Sequence, residues 1–489
     1  MGRVSRRKFL RRAAALGGGA AFAPSLAGLT AWSKDAYAQG APPLQAGASA
    51  GYGELFPSAD VPELWLPRRF HCVRISETLK PSRADANFIV PAAVDGMAAF
   101  PLPNGNVRLI RNHEIGDDAQ RAKPIGSRPY DPAGGGGTTS LEIAVRGSDD
   151  ALEVEVVREF PSLSGTVINC AGGPTPWGSW LSCEETVEGL EVVSHWNGRF
   201  GGRQNAHGYI FEVPATAESE VEPVPLKAMG RFIHEAVAVD PETGFVYETE
   251  DTYYSATRRA ERPGAGFYRF IPDSPGQLAR GGRLQMLAVA DQRNYLATRG
   301  QRPGRRLPVT WVDIADPDPA GAEHQRHAVF HQGVAGGAAI FNRLEGCWYG
   351  DGAIYFNSTS GGDVGAGQVW QYRPTERDDG ELVLIFESPS RDVLNSPDNL
   401  CVSPRGGIVI CEDAGREQYM RGLSKEGEIF NLVRQPMVEG GRRITEFAGA
   451  CFSPDGRILF FNIQGATRSY GVEPGGTYAL WGPWSEGPL

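Results

Sequence analysis

Cysteine is scarce in this 489-residue sequence, basic residues are outnumbered, and long apolar runs are nearly missing. The seven cysteines, Cys72, Cys170, Cys183, Cys347, Cys401, Cys411 and Cys451, are thinly spread and lack paired zinc-type spacing. Their odd number excludes complete pairing within the chain. With 48 Lys and Arg against 58 Asp and Glu the net charge is −10, which argues against nucleic acid as a partner. Past residue 38 no segment reads as a membrane span. Sustained helical periodicity is also sparse, and Gly (63) and Pro (36) separate short apolar segments, so the expected class is all-β. A Gly-x-Ser-x-Gly match, GASAG at 47–51, sits in a low-complexity stretch with no strand before it and does not make a nucleophile elbow.

What is present begins with an export signal. Residues 1–38 carry a basic start, SRRKFL at Ser5 to Leu10, a Gly/Ala-rich apolar run and an Ala-x-Ala site at Ala36 to Ala38. This reads as a twin-arginine signal peptide cleaved after Ala38, with the twin-arginine export machinery as partner and a periplasmic or secreted product. Cleavage would leave 41 basic against 57 acidic residues, a net charge of −16, in a single domain over 39–489. A chain so acidic is suited to gathering carboxylates around cations.

One form recurs six times: PNGNVRLIRNHE (103–114), PWGSWLSCEET (176–186), PETGFVYETED (241–251), GDGAIYFNSTS (350–360), PRGGIVICED (404–413) and PDGRILFFNIQ (454–464). Each has a tight turn ending on glycine (Gly105, Gly178, Gly244, Gly352, Gly406, Gly456), then a β-branched or aromatic strand, then polar or acidic residues. Gaps of 73, 66, 108, 54 and 50 residues between these glycines fit four-stranded blades of roughly 40 to 50 residues with insertions. The expected architecture is a six-bladed β-propeller with a central metal site.

The acids fall in register. Glu184 and Glu185, Glu250 and Asp251, and Glu412 and Asp413 lie six and seven residues after their turn glycines. A second set, Cys170, Glu235, Glu345, Asp398 and Glu446, lies seven to ten residues before them. In a propeller such positions converge on the axis, where crowded like charges call for cations. Carboxylates and amides such as Asn399 suit calcium, whereas a thiolate suits a softer ion such as iron. Cys170 is thus either a metal ligand or half of a Cys170–Cys183 disulfide across the turn.

The segments RNHE, SLSGTVINCAGGPTPWGSWLSCEET, HGYIFEVP, GRFIHEAVAVDPETGFVYETEDT, GFYRFIP and SPDNLCVSPRGGIVICED resemble the PhoX family of twin-arginine-exported bacterial alkaline phosphatases. The resemblance runs through nearly all of the chain after residue 38. It implies a six-bladed propeller that holds Fe3+ and Ca2+ on its axis and releases phosphate from small phosphoesters. Carried over residue by residue, it implies that Cys170 ligates iron and that Glu185, Glu235, Glu250, Asp251, Glu345 and Asp398 bind iron or calcium. Asp413 and Glu446 are further metal-ligand candidates. Arg343 would grip the substrate phosphate and act in catalysis, with Asn399 beside it as a second substrate contact. Two segments depart from the family pattern: CED at 411–413, and NIQGATRSYG, which lacks the expected Gln-x-Pro-Gly.

Other features are weaker signals. GGGGTTS (134–140) reads as a flexible turn before the strand LEIAV, and His324, His327 and His331 read as one face of a solvated helix. His113 and His234 are candidates for supporting the ligands. Two functional alternatives remain open at this point: a calcium-dependent lactonase-like propeller without iron, and a non-catalytic propeller braced by its ions.

Overall fold

A computed structural model describes residues 51–489 except 117–124, 149–150, 192, 196–197, 201, 376–378, 416, 437–444, 469–470 and 474. The expected signal peptide lies outside the described residues. Six antiparallel blades follow one another along the chain, and each contains one of the six repeats as its first turn and second strand.

The innermost strands are Val94–Pro101, Asn169–Pro174, His234–Val239, Leu344–Gly350, Pro397–Val402 and Phe447–Phe452, numbered here as blades 1 to 6. Each lies beside the inner strands of the preceding and following blades, and the sixth lies beside the first. The ring is therefore closed, as a propeller requires. Blade 6 takes its outermost strand, His71–Glu77, from the other end of the chain, where it pairs with Gly476–Trp481. A further strand, Arg306–Asp313, pairs with the outer strands of both blade 3 and blade 4 and merges them into one nine-stranded sheet.

All six turn glycines adopt positive φ, between 72° and 89°. A side chain there would be strained, which is why glycine marks every first turn. Apolar clusters fill the wedges between successive blades, for example Leu181, Ile210, Val237 and Phe270 between blades 2 and 3. Near the axis the inner strands approach so closely that small residues are required. A Cβ on Gly96 would lie 2.6 Å from the Cα of Ala171, and one on Gly346 would lie 2.6 Å from the backbone N of Leu400. Trp348 of blade 4 packs against the clusters between blades 5 and 6, 6 and 1, and 1 and 2, so its indole reaches across the axis.

Candidate metal and phosphate centre

Each inner strand begins with a break in register against its neighbour: Val94/Met97, Asn169/Gly172, His234/Val237, Leu344/Cys347, Pro397/Leu400 and Ala448/Cys451. A bulge re-aims the side chain it carries. In five blades the first residue within the break is an acid or a thiol: Asp95, Cys170, Glu235, Glu345 and Asp398. Two residues upstream the backbone is left-handed in four blades, at Ala93 (φ 49°), Ile168 (φ 50°), Arg343 (φ 52°) and Ser396 (φ 53°). For a β-branched residue such as Ile168 this conformation is strained, at a cost of about 1–3 kcal/mol.

Neighbouring blades hold the bulges in place. Asn112 Nδ2 donates to the carbonyls of Cys170 (3.0 Å) and Ala171 (2.7 Å), and Thr249 Oγ1 donates to that of Glu345 (2.7 Å). Asn357 and Asn462 make the same kind of bond to the carbonyls of Asp398 and Asp95. In four of the six blades, then, a polar side chain of the second strand fixes the ligand-bearing backbone of the next blade.

A second tier comes from the residue just past each second strand: Glu114, Glu185, Asp251, Thr359, Asp413 and Gln464. Their backbone N–H groups donate to Ala93, Ile168, Ile233, Arg343, Ser396 and Glu446, at 2.8 to 3.2 Å. By this pattern Glu446 occupies in blade 6 the place that Arg343 holds in blade 4, not the place of the bulge acids with which its sequence offset grouped it. The same tier separates the acidic pairs. Glu184 turns into its own blade and accepts from Val167 N (2.9 Å), Gly208 N (2.8 Å) and the Nδ1 side of His207 (2.6 Å). Glu250 accepts from Gly266 N and the Tyr268 hydroxyl (2.9 and 2.8 Å), and Glu412 accepts from Asn395 N and Arg421 Nε (both 2.9 Å). Period-two alternation leaves the second member of each pair for the axis.

Three sets of ligand atoms each lie within 4.8 Å of one another: Cys170, Glu185 and Glu235; Asp95, Glu114 and Glu446; and Glu235, Glu345 and Asp398. Cys170 Sγ is 3.3 Å from Glu235 Oε1 and 3.9 Å from Asp95 Oδ2, so the three sets form one continuous patch. Arg343 stands at its edge. Its Nε lies 2.9 and 3.1 Å from the two Asp251 oxygens, while Nη2 donates to Asp251 Oδ2 and to Glu345 Oε1, both at 2.7 Å.

So many carboxylates cannot share this space ionised unless cations accompany them. Burial first, and the neighbouring acids second, push Asp95, Glu185, Glu235, Glu345 and Glu446 well above the usual carboxylate range. Asp398 is pushed up to about 7 by burial and by Asp413. Burial, with Asp95 and Glu235, raises the Cys170 thiol as well. Burial opposes the charge on Arg343, but Asp251 and Glu345 outweigh it and hold the guanidinium charged. Asp95 Oδ1 and Glu235 Oε2 are buried with no hydrogen-bond partner. Unpartnered buried carboxylate oxygens, with one thiol among hard donors, fit a mixed set of metal ions.

The sequence profile described as Alkaline phosphatase PhoX matches residues 72–467. The chain belongs to the PhoX alkaline phosphatase family. Among solved structures it is similar to Pseudomonas fluorescens PhoX in complex with vanadate, a transition-state analogue, at 17% identity and a TM-score of 0.63; the match covers 90% of this chain and 99% of that one. A gluconolactonase from Xanthomonas campestris aligns at 12% identity and a TM-score of 0.40, over 89% and 99% of the two chains. No curated protein sequence matches. The chain is thus a PhoX-like alkaline phosphatase, an enzyme that hydrolyses phosphoric esters and depends on metal, on the six-bladed frame described above.

Several expectations for this PhoX-family chain need correction. Glu250 is directed into its blade and belongs to none of the three ligand sets. Asn399 spends its amide on Asp398 Oδ1 (2.7 Å, donating) and Gly449 N (2.7 Å, accepting), so it braces the site instead of facing a substrate. Asp251 and Asp413 also lie outside the three sets: Asp251 is taken up by Arg343, and Asp413 is exposed at the edge of the patch beside Asp398 and Glu446. Cys170 and Cys183 are both free thiols, and Cys183 lies in the apolar core between blades 2 and 3, which removes the disulfide reading.

The helix Ala328–Gly336 starts after His327, so of the three histidines only His331 lies on it, while His324 contacts Glu191 (3.1 Å). The glycines of GGGGTTS enter the strand Gly136–Arg146 two residues into the motif, under tight packing. His113 bonds Ala92 O (2.9 Å) and Thr139 Oγ1 (2.8 Å), which supports the Ala93 turn. His234 bonds Gly230 O (3.1 Å). Three participants were missed: Asp95, Glu114 and Gln464, whose Nε2 bonds Asp95 Oδ2 (2.8 Å) and Glu114. Asp95 lies ten residues before Gly105, inside the offset range that selected the other acids, and Glu114 is the final residue of RNHE.

Proposed function

We propose that this PhoX-family chain is an exported phosphatase whose axial patch holds iron and calcium and whose Arg343 grips the phosphate of an organic phosphoester. The observation that carries this reading is the Cys170 thiol among Glu185 and Glu235, beside the acid-held guanidinium of Arg343. Cys170, Glu185 and Glu235 would hold iron. The oxygen-only sets, Asp95 with Glu114 and Glu446, and Glu235 with Glu345 and Asp398, would hold calcium. Bound there, the ions supply Lewis acidity and neutralise charge on the phosphoryl oxygens.

The chain's own residues position the ester. Asp251 and Glu345 take Nε and Nη2 of Arg343 and so fix the guanidinium plane, which leaves its Nη1 edge for a phosphoryl oxygen. Trp348 reaches across the axis, and the ester would approach from the side where Asp413 is exposed. The SRRKFL signal supports twin-arginine export to the periplasm or beyond, a route suited to a chain that folds around its ions first. Among the described residues no helix is long and apolar enough to cross a membrane.

The test is p-nitrophenyl phosphate hydrolysis by protein matured through its native export route, with iron and calcium measured on the same sample. Turnover lost on calcium chelation, regained with calcium and absent in Cys170→Ser is the expected result. Protein that contains both metals yet hydrolyses no monoester would refute the substrate assignment.

A further inference from the structure

The loop that follows Asp251, TYYSATRRAERPG (252–264), is tied to the segment carrying Arg343. Arg343 N donates to Thr252 O (2.9 Å), Tyr254 N donates to Asn342 Oδ1 (2.8 Å), and Ala265 exchanges backbone bonds with Phe341 (3.0 and 3.1 Å). Within the loop Ser255 N donates to Arg262 O (2.9 Å), so its two limbs run side by side. This folding brings a second guanidinium to the rim of the patch. Cζ of Arg343 lies 4.9 Å, and Cζ of Arg262 4.8 Å, from the centroid of the same ring, Tyr253.

The two arginines differ in what answers their charge. Arg343 is held by Asp251 and Glu345. Arg262 is half-buried and makes no ion pair with a described carboxylate, while the nearby Glu261 is paired with Arg258. Arg326 lies close enough to feel Arg262: its Nη2 donates to Glu261 O (3.2 Å), and its charge is disfavoured by burial and by Arg262, against a favourable contribution from Glu250. A guanidinium without a paired carboxylate among the described residues, Arg262, on the rim of an acidic channel in a chain of net charge −10 attracts anions to that one side.

We infer that Arg262, stacked with Arg343 on Tyr253, is a specificity-determining residue that binds an anionic group on the leaving-group side of the ester. The phosphoryl group is taken at the axis by Arg343, and Arg262 stands beyond it, beside the same ring. The favoured substrates are therefore phosphoesters whose alcohol portion carries a carboxylate or a further phosphate. This inference rests on the phosphatase reading above.

The experiment compares phenyl phosphate with 4-carboxyphenyl phosphate, by phosphate release, in the metal-loaded wild type, Arg262→Gln and Arg262→Lys. In Arg262→Gln the ratio of the two kcat/KM values should shift about tenfold toward phenyl phosphate, with the change carried by KM. Arg262→Lys should recover most of the ratio, and raised ionic strength should erode the wild-type preference. A ratio that stays the same in Arg262→Gln, whether both esters suffer equally or neither does, overturns the inference and leaves the phosphatase reading standing. If the wild type turns over neither ester, the phosphatase reading falls and the inference falls with it.

Discussion

At the scale of single residues, Arg343 and Asp398 carry the clearest consequences. Arg343→Ala removes a half-buried cation from between Asp251 and Glu345, so it leaves two carboxylates unanswered as well as a phosphate without its grip. A loss of about 10²–10³ in kcat is expected, the scale set by removing one preorganised transition-state donor. Arg343→Lys should recover little, because an ammonium cannot meet Asp251 and Glu345 with one rigid fork. Steady-state kinetics on p-nitrophenyl phosphate would check both.

Asp398 supplies a pH dependence. Its folded pKa of about 7, raised by burial and Asp413, exceeds the 3.8 of an unperturbed aspartate, so the ion-free folded protein binds this proton more tightly than the unfolded chain does. The stability it contributes is fully present below about pH 4 and drains away as pH rises through about 7. Metal-stripped protein should therefore lose Tm across that window, and Asp398→Asn should flatten the slope. Calcium should remove the loss by giving the ionised carboxylate a partner. Scanning calorimetry with and without calcium would decide; a Tm that rises through the same window in stripped protein would contradict the assignment.

At the scale of elements, the unit of function is a bulged inner strand locked by its neighbour. Asn112 shows why both halves matter: its Nδ2 holds the Cys170 and Ala171 carbonyls, and its Oδ1 accepts from Trp180 Nε1 and Ser182 Oγ, each at 2.8 Å. Asn112→Leu should cost about 1–3 kcal/mol from the buried groups it leaves unpaired, measurable as a lower urea midpoint. It should also weaken retention of the iron proposed at Cys170 by about 10–100-fold, since it loosens the backbone that aims that thiol. Cys183→Ser should behave oppositely to Cys170→Ser. Placing a hydroxyl in the core between blades 2 and 3 should lower stability and leave the metal content of the axial patch unchanged. The hairpin turns were legible in the sequence because φ near 80° demands glycine at six positions. The bulges were not, because a register break depends on the partner strand.

At the scale of the whole molecule, the ring must close between blades 6 and 1, and a buried ion pair sits near that seam. Arg111 Nη2 bonds Glu159 Oε1 (2.8 Å) with both side chains almost fully buried, while Nη1 donates to Thr477 Oγ1 of blade 6 (2.6 Å). Arg111→Ala alone should destabilise by about 3–5 kcal/mol, because it strands Glu159 without a counter-charge. An Arg111→Met, Glu159→Leu double variant should recover much of that loss. Equal midpoints for the single and double variants in urea would show that the pair acts by packing and not by charge.

All-β class, six blades and the candidacy of Cys170 are local matters. Turn glycines, β-branched strands and acids at fixed offsets act within a dozen residues, and they could be read directly. Which acid of each pair reaches the axis is not local. Glu185 does so and Asp251 reaches the edge of the patch through Arg343, while Glu184 and Glu250 turn into their blades, because side chains alternate and the alternation is anchored by pairing with other strands. The place of Glu446, the bracing role of Asn399 and the meeting of Arg262 with Arg343 over Tyr253 likewise arise only when the ring closes. They are contacts between blades, set by convergence on one axis that no single stretch of chain contains.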